Sequence, residues 1–333
     1  MANIALKDAE ALAFQALAAS RIAPHIALSV AQALVAAEAD GLASHGLLRL
    51  PYYADQALAG KVDGFAEPTL ERPAASLARI DAHDGFAFPA ITLALSEGTS
   101  IARETGIAAV GIGNSHHSGV MGFHVEAAAA QGFLALAFTN SQAAIAPWGG
   151  KTALFGTNPI AFATPRRSGL PVVIDLSVSK VARGKVMVAR SKGEPIPLGW
   201  ALDVEGNPTT DADAAMAGTM VPVGDAKGAC LALMVEILAA GLTGANFSYQ
   251  TSSMFDIKGP PPHLGQLFIV IDPQRLGGED FLDRIDSLAS AILAQPGTRL
   301  PGDNRLIARH KAQSQGLELP DSLIADLERR ATS

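Results

Sequence analysis

Apolar residues recur along the first sixty positions at helical spacing. From Lys7 to about Ala19, and again from Pro24 to about Ala39, Ala- and Leu-rich stretches carry polar residues at helical intervals, which predicts two helices. Asp8 is placed to cap the first. Pro24 suits a first helical turn, and Gly41 follows the second helix where a left-handed stop residue belongs. The pattern resumes from Leu47 to Ala59, with Pro51 in its first turn or at a bend, and Gly60 to Pro68 reads as a loop.

Between Ala75 and Val270 short β-prone runs punctuated by Gly and Pro alternate with helical stretches, the pattern of a mixed α/β body. Strands are predicted at Leu77–Asp81, Ala108–Ile112, Leu134–Thr139, Ile160–Thr164, Val172–Asp175 and Leu267–Ile271. Helices are predicted near Pro89–Glu104, Val120–Gln131, Ser179–Arg190 and Lys227–Ala240, the last burying Leu231, Met234, Val235 and Leu238 on one face. Glu279–Ala294 and Asp321–Arg330 look helical again. Helices at both ends of a mixed middle predict that the termini pack together: a helical domain of residues 1–75 and 299–333, and an α/β body of residues 76–298.

At 333 residues with 49% hydrophobic positions, the chain can bury a large core. A formal net charge of −7 without any Lys/Arg-rich run argues against nucleic-acid binding. Cys230, the single cysteine, precludes an internal disulfide or a cysteine-built metal site and fits a reducing cytosol. The first residues lack a basic segment followed by an apolar one, and the apolar runs are broken before they reach bilayer length. A cytoplasmic protein without membrane contact is expected.

The segment Gly41 to Leu50 places Ser44, His45 and Arg49 within six positions. If the chain after Gly46 is helical, Arg49 lies one turn beyond His45, and an imidazole and a guanidinium share a cleft. Histidine exchanges a proton near neutrality and arginine grips a carboxylate with two donors, a pairing suited to proton transfer beside a bound acid. The plainer alternative makes Ser44 a helix cap and Arg49 a solvated side chain. Gly111-Ile112-Gly113 imitates a dinucleotide fingerprint, but His116 stands where the third glycine belongs, so an ordinary Rossmann site is rejected. Asn114 to Met121 instead offers small residues entering a helix, whose free N–H groups suit phosphate. His116 and His117 could be metal ligands, yet adjacent side chains diverge and no carboxylate lies at ligand spacing, so no metal is expected.

Gly156-Thr157-Asn158-Pro159 and the run Asp175 to Lys185 each follow a predicted strand, where ligands of α/β proteins collect. Arg183 and Lys185 could serve a phosphate or carboxylate, or lie exposed on a helix capped by Ser177 or Ser179. Gly224-Asp225-Ala226-Lys227-Gly228 opens a further helix, and Arg299-Leu300-Pro301-Gly302-Asp303-Asn304-Arg305 is a polar turn that could hold an adenosine-side phosphate or be a surface linker. A hydrolase with Ser44 as nucleophile is disfavoured, because no G-x-S-x-G elbow surrounds it.

In order along the chain, these motifs resemble the malate/L-lactate dehydrogenase family of non-Rossmann NAD(P)-dependent oxidoreductases; Gly199-Trp200-Ala201-Leu202-Asp203 and Pro208-Thr209-Thr210-Asp211 belong to the same series. Within it, Ala182 to Val186 and Gly241 to Asn246 are most similar to delta-1-piperideine-2-carboxylate/delta-1-pyrroline-2-carboxylate reductases. The resemblance implies a homodimer and NADPH, with NADH as a substitute, reducing a small cyclic imino acid. By position, Ser44, His45 and Lys185 would relay the proton, and Arg49 and Thr157 would hold the substrate carboxylate. The cofactor would meet His117, Ser118, Gly119, Val120 and Met121, then Asp175, Leu176, Ser177, Arg183, Gly184 and Asp225, and the turn from Arg299 to Arg305. A 2-hydroxy acid dehydrogenase of malate, lactate or ureidoglycolate type is the alternative activity. One departure is that many dehydrogenases of the family carry a histidine before the lysine of the last glycine motif, whereas Asp225-Ala226 precede Lys227 here.

Overall fold

The computed structural model describes residues 2–332. Strand β1 (Ala2–Ile4) leads into helix α1 (Leu6–Ala18), capped by Ala5 rather than Asp8, which lies inside the first turn. Helix α2 (Pro24–Ala39) keeps the bounds read from its proline and stop glycine; Gly41 has φ +76°, the left-handed region. Two 3₁₀ turns, Ala43–His45 and Leu47–Arg49, precede α3 (Leu50–Leu58), with Pro51 in its first turn.

A mixed sheet follows. Strands β2 (Thr69–Ala74) and β3 (Leu77–Asp81) form an edge hairpin; helix α4 (Ala87–Thr105) then crosses to β4 (Ile107–Ser115), and α5 (Met121–Ala129) leads to β5 (Leu134–Thr139), β6 (Ile160–Thr164) and β7 (Val172–Leu176). Residues 69–74, expected to belong with the helical segments, are therefore sheet: their exposed alternation with polar residues hides an edge strand. Helix α6 (Arg183–Lys192) starts four residues later than predicted. The small strands β8 (Ala201–Leu202), β9 (Pro208–Thr209) and β10 (Thr219–Met220), with α7 (Ala212–Ala217), make a separate three-stranded sheet.

Helix α8 (Ala226–Glu236) continues into a π-helical turn, Ile237–Gly241, ahead of β11 (Leu264–Ile271). Helices α9 (Pro273–Gly277), α10 (Phe281–Leu293) and α11 (Asp303–Gln315), strand β12 (Leu317–Leu319) and α12 (Asp321–Ala331) complete the chain. The large sheet runs β2-β3-β4-β11-β5-β6-β7, and only β3–β4 pair in parallel among its described strands. That order is not the parallel Rossmann arrangement, in line with the missing third glycine.

Gly111 and Gly113 instead permit close packing. A Cβ on Gly113 would lie 2.9 Å from the Thr243 carbonyl oxygen, and one on Gly265 would lie 1.8 Å from that of Ala239. The backbone from the π turn thus rests directly on the sheet. Helix α8 differs from its predicted stripe: Val235 is buried, but Leu231, Met234 and Ile237 face outward, while Ala229, Ala232 and Ala239 pack inward. Small residues were the buried ones because the helix sits too close to the sheet for larger side chains.

The two ends of the chain share one apolar core. β1 pairs antiparallel with β12, and Leu17, Ile26 and Leu34 pack with Leu323 and Leu327. Between α2, α5 and α11 lies an ionic knot: the buried Asp40 carboxylate accepts from Arg305 at 3.2 Å and Arg309 at 2.7 Å, and both arginines also reach Glu126 at 2.9 Å. Removing one member of such a network leaves charge uncompensated. Asp40→Ala is expected to lower the unfolding free energy by about 3 kcal/mol, read from urea denaturation, whereas a loss below about 0.5 kcal/mol would show the knot to be superficial.

Candidate active site

The Ser44-His45-Gly46 turn is shaped by Glu38 from the last turn of α2. Its carboxylate accepts the Leu47 N–H at 2.9 Å, and a Cβ on Gly46 would lie 2.2 Å from the same oxygen. Burial raises the Glu38 pKa, against the pull of the Leu47 N–H. Glycine is thus required at 46 for the chain to fold over Glu38, and this turn delivers His45 and Arg49 to one wall of a cavity of about 1370 Å³.

His45 Nδ1 lies 3.0 Å from Ser44 Oγ, and its ring stacks on His117 with centroids 5.6 Å apart. Burial, and then the charge of Arg49, push its pKa down to about 4. Near neutrality the ring is an uncharged imidazole, with one ring nitrogen free of a proton and able to accept a hydrogen bond. Arg49 is 8% exposed; its Nε donates to the Ser44 carbonyl at 3.0 Å and its guanidinium lies 4.4 Å over the Phe255 ring. Its buried Nη1 finds no partner among the described residues. A carboxylate oxygen in the cavity would complete that donor.

The adjacent histidines point to different partners. His116 Nε2 meets Gln56 Oε1 at 2.9 Å, whereas His117 Nδ1 meets the Tyr53 hydroxyl at 2.6 Å and its ring lines the cavity. Burial drives the Tyr53 phenol well above its usual range, so it keeps its proton. His117 Nδ1 is the hydroxyl's hydrogen-bond partner among the described residues, so the phenol donates and neutral His117 carries its own proton on Nε2. His117 therefore offers a donor where His45 offers an acceptor.

The first turn of α6 packs on this turn: a Cβ on Gly184 would lie 3.4 Å from Ser44 Cβ, which brings Lys185 to the cavity wall. Ser177 and Ser179 do not cap α6; they hydrogen-bond each other at 2.7 Å, and Ala182 is the N-cap. Arg183 reaches the wall, but its guanidinium donates to the carbonyls of Met216 at 3.1 Å and Ala143 at 3.4 Å. Thr157 lines the cavity beside Ser141, whose Oγ accepts the Thr157 N–H at 3.1 Å. Asn158, at φ +40°, is the pin of that loop, donating to the Ala232 carbonyl at 2.9 Å and the buried Glu236 carboxylate at 2.7 Å.

Gly119, Val120 and Met121 line the cavity where α5 begins, as do Asp175, Leu176 and Ser177 at the end of β7. Asp175 accepts the Gly122 N–H at 2.6 Å, so the protein's own carboxylate already sits at the start of α5; burial raises its pKa, while the Gly122 N–H lowers it. Arg299, Pro301, Gly302, Asn304 and Arg305 line the far end. Arg305 is committed to Asp40 and Glu126, while the exposed Arg299 makes no ion pair among the described residues.

Four expected contacts fall outside the cavity wall. Ser118 is buried, its carbonyl accepting from His124 Nε2 at 2.8 Å. Leu300 is buried against the turn, and the Asp303 carboxylate accepts its N–H at 2.8 Å to start α11, a helix that the polar turn of residues 299–305 does not announce. Asp225 is exposed at the start of α8. Conversely, Tyr52, Ser141, Gln142, Met254 and Phe255 line the wall without having been singled out, and Tyr53 and Gln56 support it from behind. The spacing of Arg49, at the N-cap of α3, with Tyr53 and Gln56 on its following turns is a usable signal; the irregular chain around Phe255 carries none.

The sequence pattern of malate/L-lactate dehydrogenase matches residues 4–328. The chain belongs to the malate/L-lactate dehydrogenase family. It is an NAD(P)-dependent oxidoreductase. Among its relatives is the (2R)-3-sulfolactate dehydrogenase (NADP(+)) of Chromohalobacter salexigens, 53% identical over 99% of this chain and 98% of that one. A Delta(1)-pyrroline-2-carboxylate/Delta(1)-piperideine-2-carboxylate reductase of Pseudomonas syringae pv. tomato is 40% identical over 92% and 89%. The crystal structure of delta1-piperideine-2-carboxylate reductase from P. syringae superposes with a TM-score of 0.94 at 36% identity, covering 99% of this chain and 100% of that one.

Burial also pushes His116 down to about 3, His124 to about 4 and His117 well below its ordinary range. With His45, four rings stay neutral in the fold while their unfolded counterparts take up protons below about pH 6.5. Stability is therefore complete above that pH and falls as acid titrates the unfolded chain, until the folded pKa values are reached. Each such ring contributes about 1.4 kcal/mol per pH unit in this window. Urea unfolding between pH 7 and pH 5 is expected to show this decline, shallower in His124→Asn; a flat profile would mean these rings titrate normally in the fold.

Proposed function

We propose that the chain is an NADP-dependent 2-hydroxy acid dehydrogenase whose substrate is (2R)-3-sulfolactate, interconverted with its 2-oxo acid. The near full-length 53% identity carries this reading, against 35–43% for the imino acid reductases among its relatives. A neutral His45 beside the free donor of Arg49 is the arrangement that oxidation of a hydroxy acid calls for.

The cavity suits a dinucleotide as well as a small acid. It extends from His45 to Arg299, which makes no ion pair among the described residues and whose charge is available to a phosphate. The backbone of Gly119 to Met121, Asp175 and Arg299 would hold the cofactor, which when bound accepts hydride from C2 of the hydroxy acid. Arg49 fixes the carboxylate through Nη1, with Thr157 alongside. His45 removes the hydroxyl proton as the carbonyl forms, Ser44 Oγ steadies its Nδ1, and His117 Nε2–H donates to the substrate oxygen. Lys185 adds the positive charge that a second anionic group of the substrate requires. The outward face of α8, with Leu231, Met234 and Ile237, supports a homodimer, and the lone cysteine fits a cytoplasmic setting. No helix among the described residues is long and apolar enough to cross a membrane.

A second reading, NADPH-dependent reduction of cyclic imino acids, is favoured by the apolar wall of Leu48, Tyr52, Met254 and Phe255, which would accept a ring edge-on. There His45 would act as acid toward the ring nitrogen. The two readings separate in a spectrophotometric panel of 3-sulfolactate, malate and lactate with NADP+, and pyrroline-2-carboxylate and piperideine-2-carboxylate with NADPH. Sulfolactate is expected to give the highest kcat/KM; preference for either cyclic imine overturns the first reading and leaves the second.

With the preferred substrate, His45→Ala is expected to lower kcat by about 10²- to 10⁴-fold with NADP affinity nearly unchanged. Arg49→Lys, which loses the forked geometry, should chiefly raise the substrate KM, by about tenfold or more. Steady-state kinetics with cofactor titration distinguish the two effects, and wild-type values in either variant remove that residue from the scheme.

A further inference from the structure

Lys61 lies just past α3 and is 2% exposed, an uncommon setting for a lysine. Its ammonium donates to three main-chain carbonyls of one loop: Ser253 at 2.5 Å, Asp256 at 3.2 Å and Lys258 at 2.6 Å. Three donors meet three acceptors, so the charge is satisfied largely by peptide dipoles, with the half-exposed Asp256 carboxylate 3.6 Å away. Gln56 adds a second tie, donating to the Asp256 carbonyl at 3.0 Å while its Oε1 meets His116.

The loop so gripped has no regular secondary structure between Thr251 and His263. Nevertheless, it carries Met254 and Phe255 into the cavity wall. Phe255 covers the face of the Arg49 guanidinium and meets Tyr52 edge-on with centroids 6.0 Å apart, and the Met254 N–H donates to Gln142 Oε1 at 2.8 Å. With one face covered by Phe255, Arg49 has its Nη1 without a partner among the described residues and available to a ligand.

We propose that Lys61 is a positioning residue that locks the 253–258 loop as a fixed roof, and that Phe255 on this roof determines which carboxylates Arg49 accepts. The loop lacks helix or ladder hydrogen bonds and is tied to its neighbours by side chains, of which Lys61 supplies three bonds against one each from Gln56 and Gln142. Without it three carbonyls lose a buried donor, the loop loosens, and Phe255 no longer aligns the guanidinium. The assignment rests on Arg49 being the carboxylate anchor proposed above, but not on which acid or imine is the substrate.

The test compares Lys61→Met and Phe255→Leu with the wild type in the full chain. Amide hydrogen exchange, which needs no substrate, is expected to quicken about tenfold or more across residues 251–258 in Lys61→Met and to stay unchanged in α4 and β4. With whichever substrate the wild type turns over best, KM is expected to rise about tenfold in each variant, with kcat within about threefold and NADPH affinity within about twofold. In the double variant the two KM effects should fall short of multiplying, because both act through one roof. Unchanged exchange in the loop, or a uniform loss of cofactor affinity, kcat and global protection, overturns the role of Lys61. Should Lys61→Met fail to fold, an unaltered KM in Phe255→Leu overturns the role of the roof. A wild type inactive on sulfolactate but active on another acid or imine would revise the substrate alone.

Discussion

The architecture depends on one strand lying between two others. β11 hydrogen-bonds to β4 on one side and β5 on the other, both antiparallel, and three of the segments that reach the candidate cavity are anchored to one of these three strands. The stretch through His117 leaves the end of β4, Ser141 and Gln142 leave β5, and the Phe255 loop runs into β11. Main-chain pairing leaves little freedom in register, so the relative placement of these loops is fixed by the sheet before any side chain acts. Gly113 and Gly265 allow the π turn to lie against the same strands, which brings Glu236 and, through it, the Thr157 loop into line.

Much of the fold was legible because it is local. α2, β3, β5 and β6 have the bounds that their periodicity and stop residues indicated, since hydrophobic spacing, a first-turn proline and a left-handed glycine act over a few residues. The errors have separate physical origins. α8 buries alanines and exposes its large residues because backbone proximity, not hydrophobicity, selects what fits. β2 and α11 carry too many exposed polar residues to announce themselves, and α6 begins late because Ser177 and Ser179 turn to each other instead of to the helix.

The site was legible in its chemistry but not in its geometry. Ser44, His45, Arg49, Thr157 and Lys185 could be named from residue type and motif, and one cavity gathers them. What the motifs do not encode is which polar groups are already spoken for. Arg183 and Arg305 carry the right charge, yet carbonyls and carboxylates hold them; Arg299 and one nitrogen of Arg49 are left over. Tyr53 enters through a single buried hydrogen bond that sets the tautomer of His117, a relation across 64 positions of sequence that no local pattern records.

The position of β11 also bears on how the chain comes to be folded. Its two neighbours are complete by Thr139, but the strand that joins them ends at Ile271, and β12, which pairs with the first strand of the chain, comes later still. Until then, during synthesis, β4 and β5 present open hydrogen-bonding edges flanked by apolar faces, the condition under which nascent chains associate wrongly. Such long-range closure makes folding slow and strongly cooperative. The cavity is therefore complete only once the last third of the polypeptide has returned to the first.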